Sequence, residues 1–293
     1  MKTCLDCISC FFRQALEASR MVSDDEALHK EVLQEVAKEF SNICLDESPP
    51  SVSRKIHKIV RDLTGSLDPY KEVKDKYNQM ALGLYPQLRE KVLNSADPLL
   101  TSIRMVIAGN IIDFGVGNSF DVEKEIKEAF HKEFATLDYS IFCDFIEDTE
   151  EVLYLGDNAG EVVFDRLLVE VIESMGKRVV YAVRGAPIIN DATLDDAREC
   201  GIHNDVTELI STGSDAPATV LELCSPDFIE RFNGAKMIIS KGQGNFEALS
   251  GEKRPIFFLF KVKCPVVAEN INHEVGDMVL SRGQSFGLMG QKL

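Results

Sequence analysis

EVLYLGDNAGE, residues 151–161, is the stretch on which the fold turns. Val152 to Leu155 is a short apolar run, and it breaks at Gly156 into a turn carrying a carboxylate, an amide and a second glycine. From Glu161 the spacing switches to three and four through VVFDRLLVEVIESM. A strand that hands over directly to an amphipathic helix through such a turn is one unit of a parallel sheet.

The chain repeats this grammar downstream. RVVYAV (178–183) precedes a helix through ATLDDAREC, and DVTELI (205–210) precedes helical segments ATVLELC and SPDFIERF. KMIIS (236–240) precedes a short helix FEALS, and the last strand signals are PIFFLFKVK and PVVA. Alternation of this kind predicts an α/β fold, a Rossmann-like three-layer α/β/α sandwich with a mostly parallel sheet. Upstream, from Ser9 to Asp148, apolar residues recur at helical spacing with hardly any strand signal. Prolines in ESPPS, DPY and ADP mark helix starts. The expectation is an all-helical N-terminal domain over residues 1–148 and an α/β sandwich over 149–293.

Composition narrows the function. Hydrophobic residues make up 45% and charged residues 27%, enough for a sizeable core. A formal charge of −16 opposes a nucleic-acid partner, because phosphate backbones demand a cationic footprint. No apolar run reaches the roughly 18 residues needed to span a bilayer. No export signal is read at the N-terminus, so a cytoplasmic location and no membrane partner are expected. The oligomeric state stays open.

In open parallel sheets ligands sit outside the carboxyl ends of the strands. Four loops follow those ends: GDNAGE (156–161), RGAPIIND (184–191), STGSDAP (211–217) and KGQGN (241–245). Any one of them is ordinary turn and cap chemistry. Together they bring glycines, carboxylates, amides and cations to one edge. Asp157, Asn158 and Asp191 are hard oxygen donors suited to a divalent metal such as Mg, Mn, Co or Ni. Histidine and cysteine are absent from these loops, which disfavours zinc, and none of the four carries a GxSxG or P-loop spacing.

Lys241, with the accessible backbone of Gly242, and Arg184 offer charge and donors for a phosphate. The helix beginning at Gly160 and Glu161 turns its positive end to the same crevice. Glu161, Asn190 and Asn245 are placed to orient substrate or water. The simplest mechanism is a metal-polarised water attacking phosphorus, with Asp157 as a nucleophile left open. Catalytic roles are expected for Asp157, Asp191 and Lys241.

With GDNAGE, RGxPxxND and KGQGNFE in this order, after a helical half that opens with CxxC and contains AGNxID, the chain resembles the metal-dependent damage-control phosphatase family. That family was formerly grouped as domain of unknown function 89, and the likeness is to its prokaryotic CxxC-bearing branch. The resemblance covers nearly the whole chain. It implies a metal held by Asp157, Asn158 and Asp191, a phosphate contact for Lys241, and small phosphorylated metabolites, including sugar phosphates and damaged ones, as substrates. It tips Asn110 and Asp113 toward the site rather than toward helix capping. It also carries a rival, carboxyl methyl transfer to protein glutamate, and a non-catalytic phosphometabolite-binding protein is the third reading.

Outside the sandwich, Cys4, Cys7 and Cys10 form overlapping CxxC spacings. Cys4, Cys7 and Cys10, joined by Cys264, are candidates for a second metal or a redox pair, Cys4 and Cys7 foremost. The remaining cysteines read as small buried hydrophobes, and His57, His131 and His203 as surface or core histidines.

Overall fold

The computed structural model describes residues 1–109 and 132–283. Asn110, Asp113 and His131 lie outside the described residues.

Five helices come first: α1 (Leu5–Val22), α2 (Glu26–Glu39), α3 (Pro49–Thr64), α4 (Lys71–Leu93) and α5 (Pro98–Gly109). Proline at the first turn starts α3, and Gly65 at φ 70° ends it. Asp25 caps α2 by accepting from the Ala27 N–H. Phe11, Ala15 and Ala18 of α1, Val32 and Val36 of α2, and Val52, Ile56 and Val60 of α3 close one core. Their spacings of three and four put each set on one helix face.

The sheet has seven strands in the order β1-β7-β6-β5-β2-β3-β4. These are β1 (Phe134–Leu137), β2 (Glu151–Leu155), β3 (Arg178–Val183), β4 (Thr207–Ser211), β5 (Ile238–Lys241), β6 (Ile256–Lys261) and β7 (Met278–Arg282). Pairing is parallel throughout except between β6 and β7. The intervening helices are α6 (Tyr139–Asp148), α7 (Glu161–Ser174), α8 (Leu194–Glu199), α9 (Pro226–Gly234), α10 (Gln243–Leu249) and α11 (Pro265–Ile271).

Period-two alternation sorts the strand side chains into two cores. Val152, Tyr154, Val179 and Tyr181 face α4, α5 and α7. Leu153, Leu155, Val180 and Ala182 face α9, α10 and α11. The three-layer sandwich with a largely parallel sheet and a helical N-terminal region is therefore as expected.

Four details differ from the sequence reading. Residues 134–137, inside the stretch expected to be helical, form edge strand β1. α4 and α5 contribute Tyr85, Leu88, Ile103 and Val106 to the core of one sheet face, so packing runs unbroken across Asp148. PVVA is the start of α11, with Pro265 at its first turn, while β7 supplies the strand between β1 and β6. ATVLELC holds only a 3-10 turn, Leu221–Leu223. Ala218 at φ 60° is left-handed and Val220 at φ −86°, ψ 101° is extended, while the Ala218 N–H donates to Asp191 and the Thr219 N–H to Asn245, so no α-helix runs through the segment. Among the described residues no helix is long and apolar enough to cross a membrane.

Candidate active site

The chain leaves β2 for β3 and β4 on one side, then returns to place β5 and β6 on the other. β2 and β5 thus flank the point where strand order reverses, which is where an open α/β sheet leaves a crevice. GDNAGE follows β2 there, and KGQGN follows β5. A cleft of about 710 Å³ opens at this edge, lined on the sheet side by Asp157, Asn158, Asn190, Asp191 and Ala218, and on the helical side by Arg13, Gln14 and Ser53.

Backbone pairing holds the ligand loops together. Asn158 and Asp191 form an isolated antiparallel bridge. The Ala159 N–H donates to Asn190 O at 2.8 Å and the Ala192 N–H to Asp157 O at 2.8 Å. Asp157, Asn158, Asn190 and Asp191 therefore meet on one cleft wall. Two non-glycine residues bordering it, Ile189 at φ 45° and Ala218 at φ 60°, hold left-handed conformations. Such strain is common where a loop is shaped around a ligand.

Asp157 rests against Gly242, which has φ 83°. A Cβ there would fall 1.8 Å from Asp157 Oδ2, so glycine is required both by conformation and by space. Asn158 Nδ2 donates to Glu161 Oε1 at 2.8 Å and to Asp157 Oδ2 at 3.3 Å. Asp191 Oδ2 accepts from Arg184 Nε at 2.7 Å and from the Ala218 N–H at 3.0 Å. Both contacts use Oδ2, so Oδ1 is the oxygen left for a ligand.

The two expected phosphate cations lie behind this wall. Lys241 is fully buried, with Nζ 3.1 Å from Glu161 Oε2 and 3.3 Å from Asp165 Oδ1. Arg184, also buried, donates to Asp191, to Gly156 O at 3.1 Å, to Asn245 Oδ1 at 3.3 Å and to Thr219 Oγ1 at 3.2 Å. Neither lines the cleft. Asn245 is buried as well, donating to Gly156 O and Lys241 O. These three side chains brace the loops that carry the ligands rather than reach into the cleft.

Sequence reasoning missed Asp165. It is fully buried, accepting from Tyr154 Oη at 2.9 Å and Tyr181 Oη at 2.5 Å. Its signal was present: a carboxylate one turn after Glu161 on an otherwise apolar helix face needs a partner.

Four buried carboxylates, Asp157, Glu161, Asp165 and Asp191, thus face two buried cations, Lys241 and Arg184. Two negative charges are left over if all are ionised, the charge of one divalent ion. Burial first, then the charges of Glu161 and Asp191, pushes the Asp157 carboxyl well above the usual carboxylate range, with Arg184 and Lys241 opposing. Burial likewise raises Asp191 and Asp165 against the pull of their cations. Burial alone would lower Lys241, but Asp165, Glu161 and Asp157 hold it above its ordinary value, so it stays protonated.

Among the described residues no group of three or more His, Cys, Asp or Glu side chains forms a self-sufficient metal cage. Two carboxylates and an amide with surplus negative charge nevertheless fit a hard cation that keeps several waters.

Residues 3–279 match the family described as the Damage-control phosphatase ARMT1-like domain. A protein named damage-control phosphatase from Archaeoglobus fulgidus is 34% identical over 93% of this chain and 96% of its own length. The damage-control phosphatase PH1575 of Pyrococcus horikoshii is 32% identical over 97% and 99%. The crystal structure of that Pyrococcus protein, described as a DUF89 family member, superposes with a TM-score of 0.90 over 97% of this chain and 99% of that one.

Proposed function

This chain belongs to the Damage-control phosphatase ARMT1-like domain family, and from that premise we propose that it hydrolyses small phosphate esters with a divalent cation held by Asp157, Asn158 and Asp191. The observation that carries the proposal is the convergence of these three donors on a cleft wall where four buried carboxyl groups face two buried cations. The names of the Archaeoglobus and Pyrococcus relatives support the phosphatase class. Sugar phosphates and damaged phosphometabolites are the proposed substrates, and a cytoplasmic location is proposed with them.

When bound, the cation supplies charge neutralisation and polarisation of a phosphoryl oxygen. The chain's own residues do the rest. Glu161 and Asp157 fix Asn158 so that its carbonyl oxygen faces away from them. Arg184 fixes Asp191 in one orientation and leaves Oδ1 exposed to the site. Lys241 holds Glu161 by donating to its Oε2 at 3.1 Å and so sets the tilt of Asn158. Arg13 and Gln14, across the cleft, are placed to meet the non-phosphate part of the substrate. Preorganised charge of this kind supplies most of the catalysis in phosphoryl transfer.

The test is phosphate release from a panel of sugar phosphates with Mg²⁺ or Mn²⁺, with and without EDTA. Activity should vanish with EDTA and return with metal, and Asp157→Ala should lower kcat/KM by about a hundredfold or more. Full turnover in EDTA, or an unimpaired Asp157→Ala enzyme, would falsify the assignment. Calorimetry with adenosylmethionine separates the methyl-transfer rival, for which heat of binding is required.

A further inference from the structure

α1 opens with cysteines at positions 4, 7 and 10, and the first two meet: Cys4 Sγ and Cys7 Sγ are 3.6 Å apart. Both are free and half-buried. Cys4 is the N-cap, with extended backbone at φ −120° and ψ 173°. Drawing the sulfurs together to the roughly 2.05 Å of a disulfide is a side-chain adjustment at the helix end, where α1 need not unwind. As a metal site the pair is only half of a tetrahedral set, and no such group of ligands occurs among the described residues.

A second, separate observation concerns Glu247 of α10. It lines the cleft together with Cys7. Burial pushes its carboxyl up to about 7, with the hydrogen bond from Gln243 opposing. Gln243 Nε2 donates to Glu247 Oε1 at 2.8 Å, which leaves Oε2 available. Burial above all, then the neighbouring Cys4 and Glu247, pushes the Cys7 thiol up to about 12. Cys7 is thus a thiol that stays protonated near neutrality, and a carboxyl that trades protons there lines the same cleft.

From this arrangement we infer that Cys4 and Cys7 are a dithiol–disulfide exchange site that accepts a low-molecular-weight disulfide as oxidant, with Glu247 as the proton acceptor for Cys7. Cys4 loses its proton to water, and its thiolate attacks one sulfur of the disulfide, expelling a thiolate that takes up a proton. The Cys7 thiol then passes its proton to Glu247. The resulting thiolate attacks Cys4 Sγ and expels the second thiolate, which is also protonated. Two protein thiols are oxidised and one disulfide is reduced to two thiols, so the exchange balances. Because Cys7 lines the same cleft as Asp157, this chemistry takes place on the wall of the cleft that holds the candidate active site. It does not depend on the phosphatase reading.

The experiment is equilibration of the reduced full-length chain, without oxygen, in graded mixtures of reduced and oxidised glutathione, followed by acid quench, alkylation and mass spectrometry. The expected result is loss of two thiols with a Cys4–Cys7 linkage, unchanged in Cys10→Ser. Cys7→Ser should accumulate glutathione on Cys4, and Glu247→Gln should slow ring closure about tenfold at pH 7. Eight alkylatable thiols at every ratio, glutathione retained on the unmutated chain without ring closure, or stoichiometric zinc occupying Cys4 and Cys7 would each overturn the site. A Glu247→Gln rate equal to that of the unmutated chain would overturn the role given to the carboxyl.

Discussion

Gly242 shows how much one residue can decide. Its φ of 83° with ψ 157° belongs to a region open essentially to glycine, and a methyl group there would strike Asp157. Gly242→Ala is expected to cost roughly 1–3 kcal/mol of stability and to depress kcat/KM far more than the melt implies, because Asp157 must move. Parallel denaturation and phosphate-release assays check this.

His57 offers a test by pH. Burial, and then the charge of Arg61, holds its imidazole down to about 3, and its Nε2 has no hydrogen-bond partner among the described residues. Between pH 3 and the ordinary value near 6.5 the unfolded chain binds a proton there that the folded chain does not. Stability from this group is therefore complete above about pH 6.5 and falls by up to about 1.4 kcal/mol per unit as pH drops. His57→Phe should flatten the urea-denaturation profile between pH 6.5 and 4.5 by that slope. Equal slopes for the two proteins would refute it.

At this scale the sequence made Asp157, Asn158 and Asp191 legible, since each sits on a loop following a strand. It made Lys241 and Arg184 legible as cations of the site, but burial turned them into braces. Nothing local to KGQGN shows that Glu161 and Asp165 wait behind it.

Among elements, α4 does more than cover the sheet. Asn78 Oδ1 accepts from the Gly160 N–H at 2.7 Å, at the start of α7, while its Nδ2 donates to Asp196 of α8 at 3.2 Å. Lys74, one turn earlier, reaches Asp68 at 2.7 Å and Asp196 at 3.3 Å. One helix thereby positions the turns behind both ligand loops. Asn78→Ala should cost about 1–3 kcal/mol by leaving a buried amide N–H unpaired. Its metal affinity should weaken as well, measured by titration of Mn²⁺ against folded protein. Unchanged affinity with lost stability would confine Asn78 to structure. Elements were legible where periodicity ran long, as in α7 and β3. They were lost in short segments: β1 and β7 formed by pairing with each other and β6, PVVA turned helical from Pro265, and ATVLELC was interrupted by the left-handed Ala218 and the extended Val220.

For the whole molecule, a cation that neutralises a buried acidic cluster binds the folded state and not the unfolded one. At a hundred times its dissociation constant it stabilises by about 2.7 kcal/mol, a rise in Tm on the order of 5 °C for a chain of this length. The shift is expected with Mg²⁺ or Mn²⁺ in the unmutated protein and should be absent in Asp157→Ala. Scanning calorimetry with both proteins, with and without metal, reads it. An equal shift in both would place the ion elsewhere.

Alone, the sequence determined the alternation of strand and helix, the reversal of spacing at Glu161 and the residue types at each strand end, because those follow from local periodicity and turn chemistry. Tertiary structure alone decided that α4 and α5 belong to the core of the sheet and that Asp165 joins Glu161 behind Lys241. It alone also decided that Cys7 and Cys10 line the cleft. Burial and pairing between residues far apart in the chain, as between Glu161 and Lys241, are properties of the closed chain, and no local pattern encodes them.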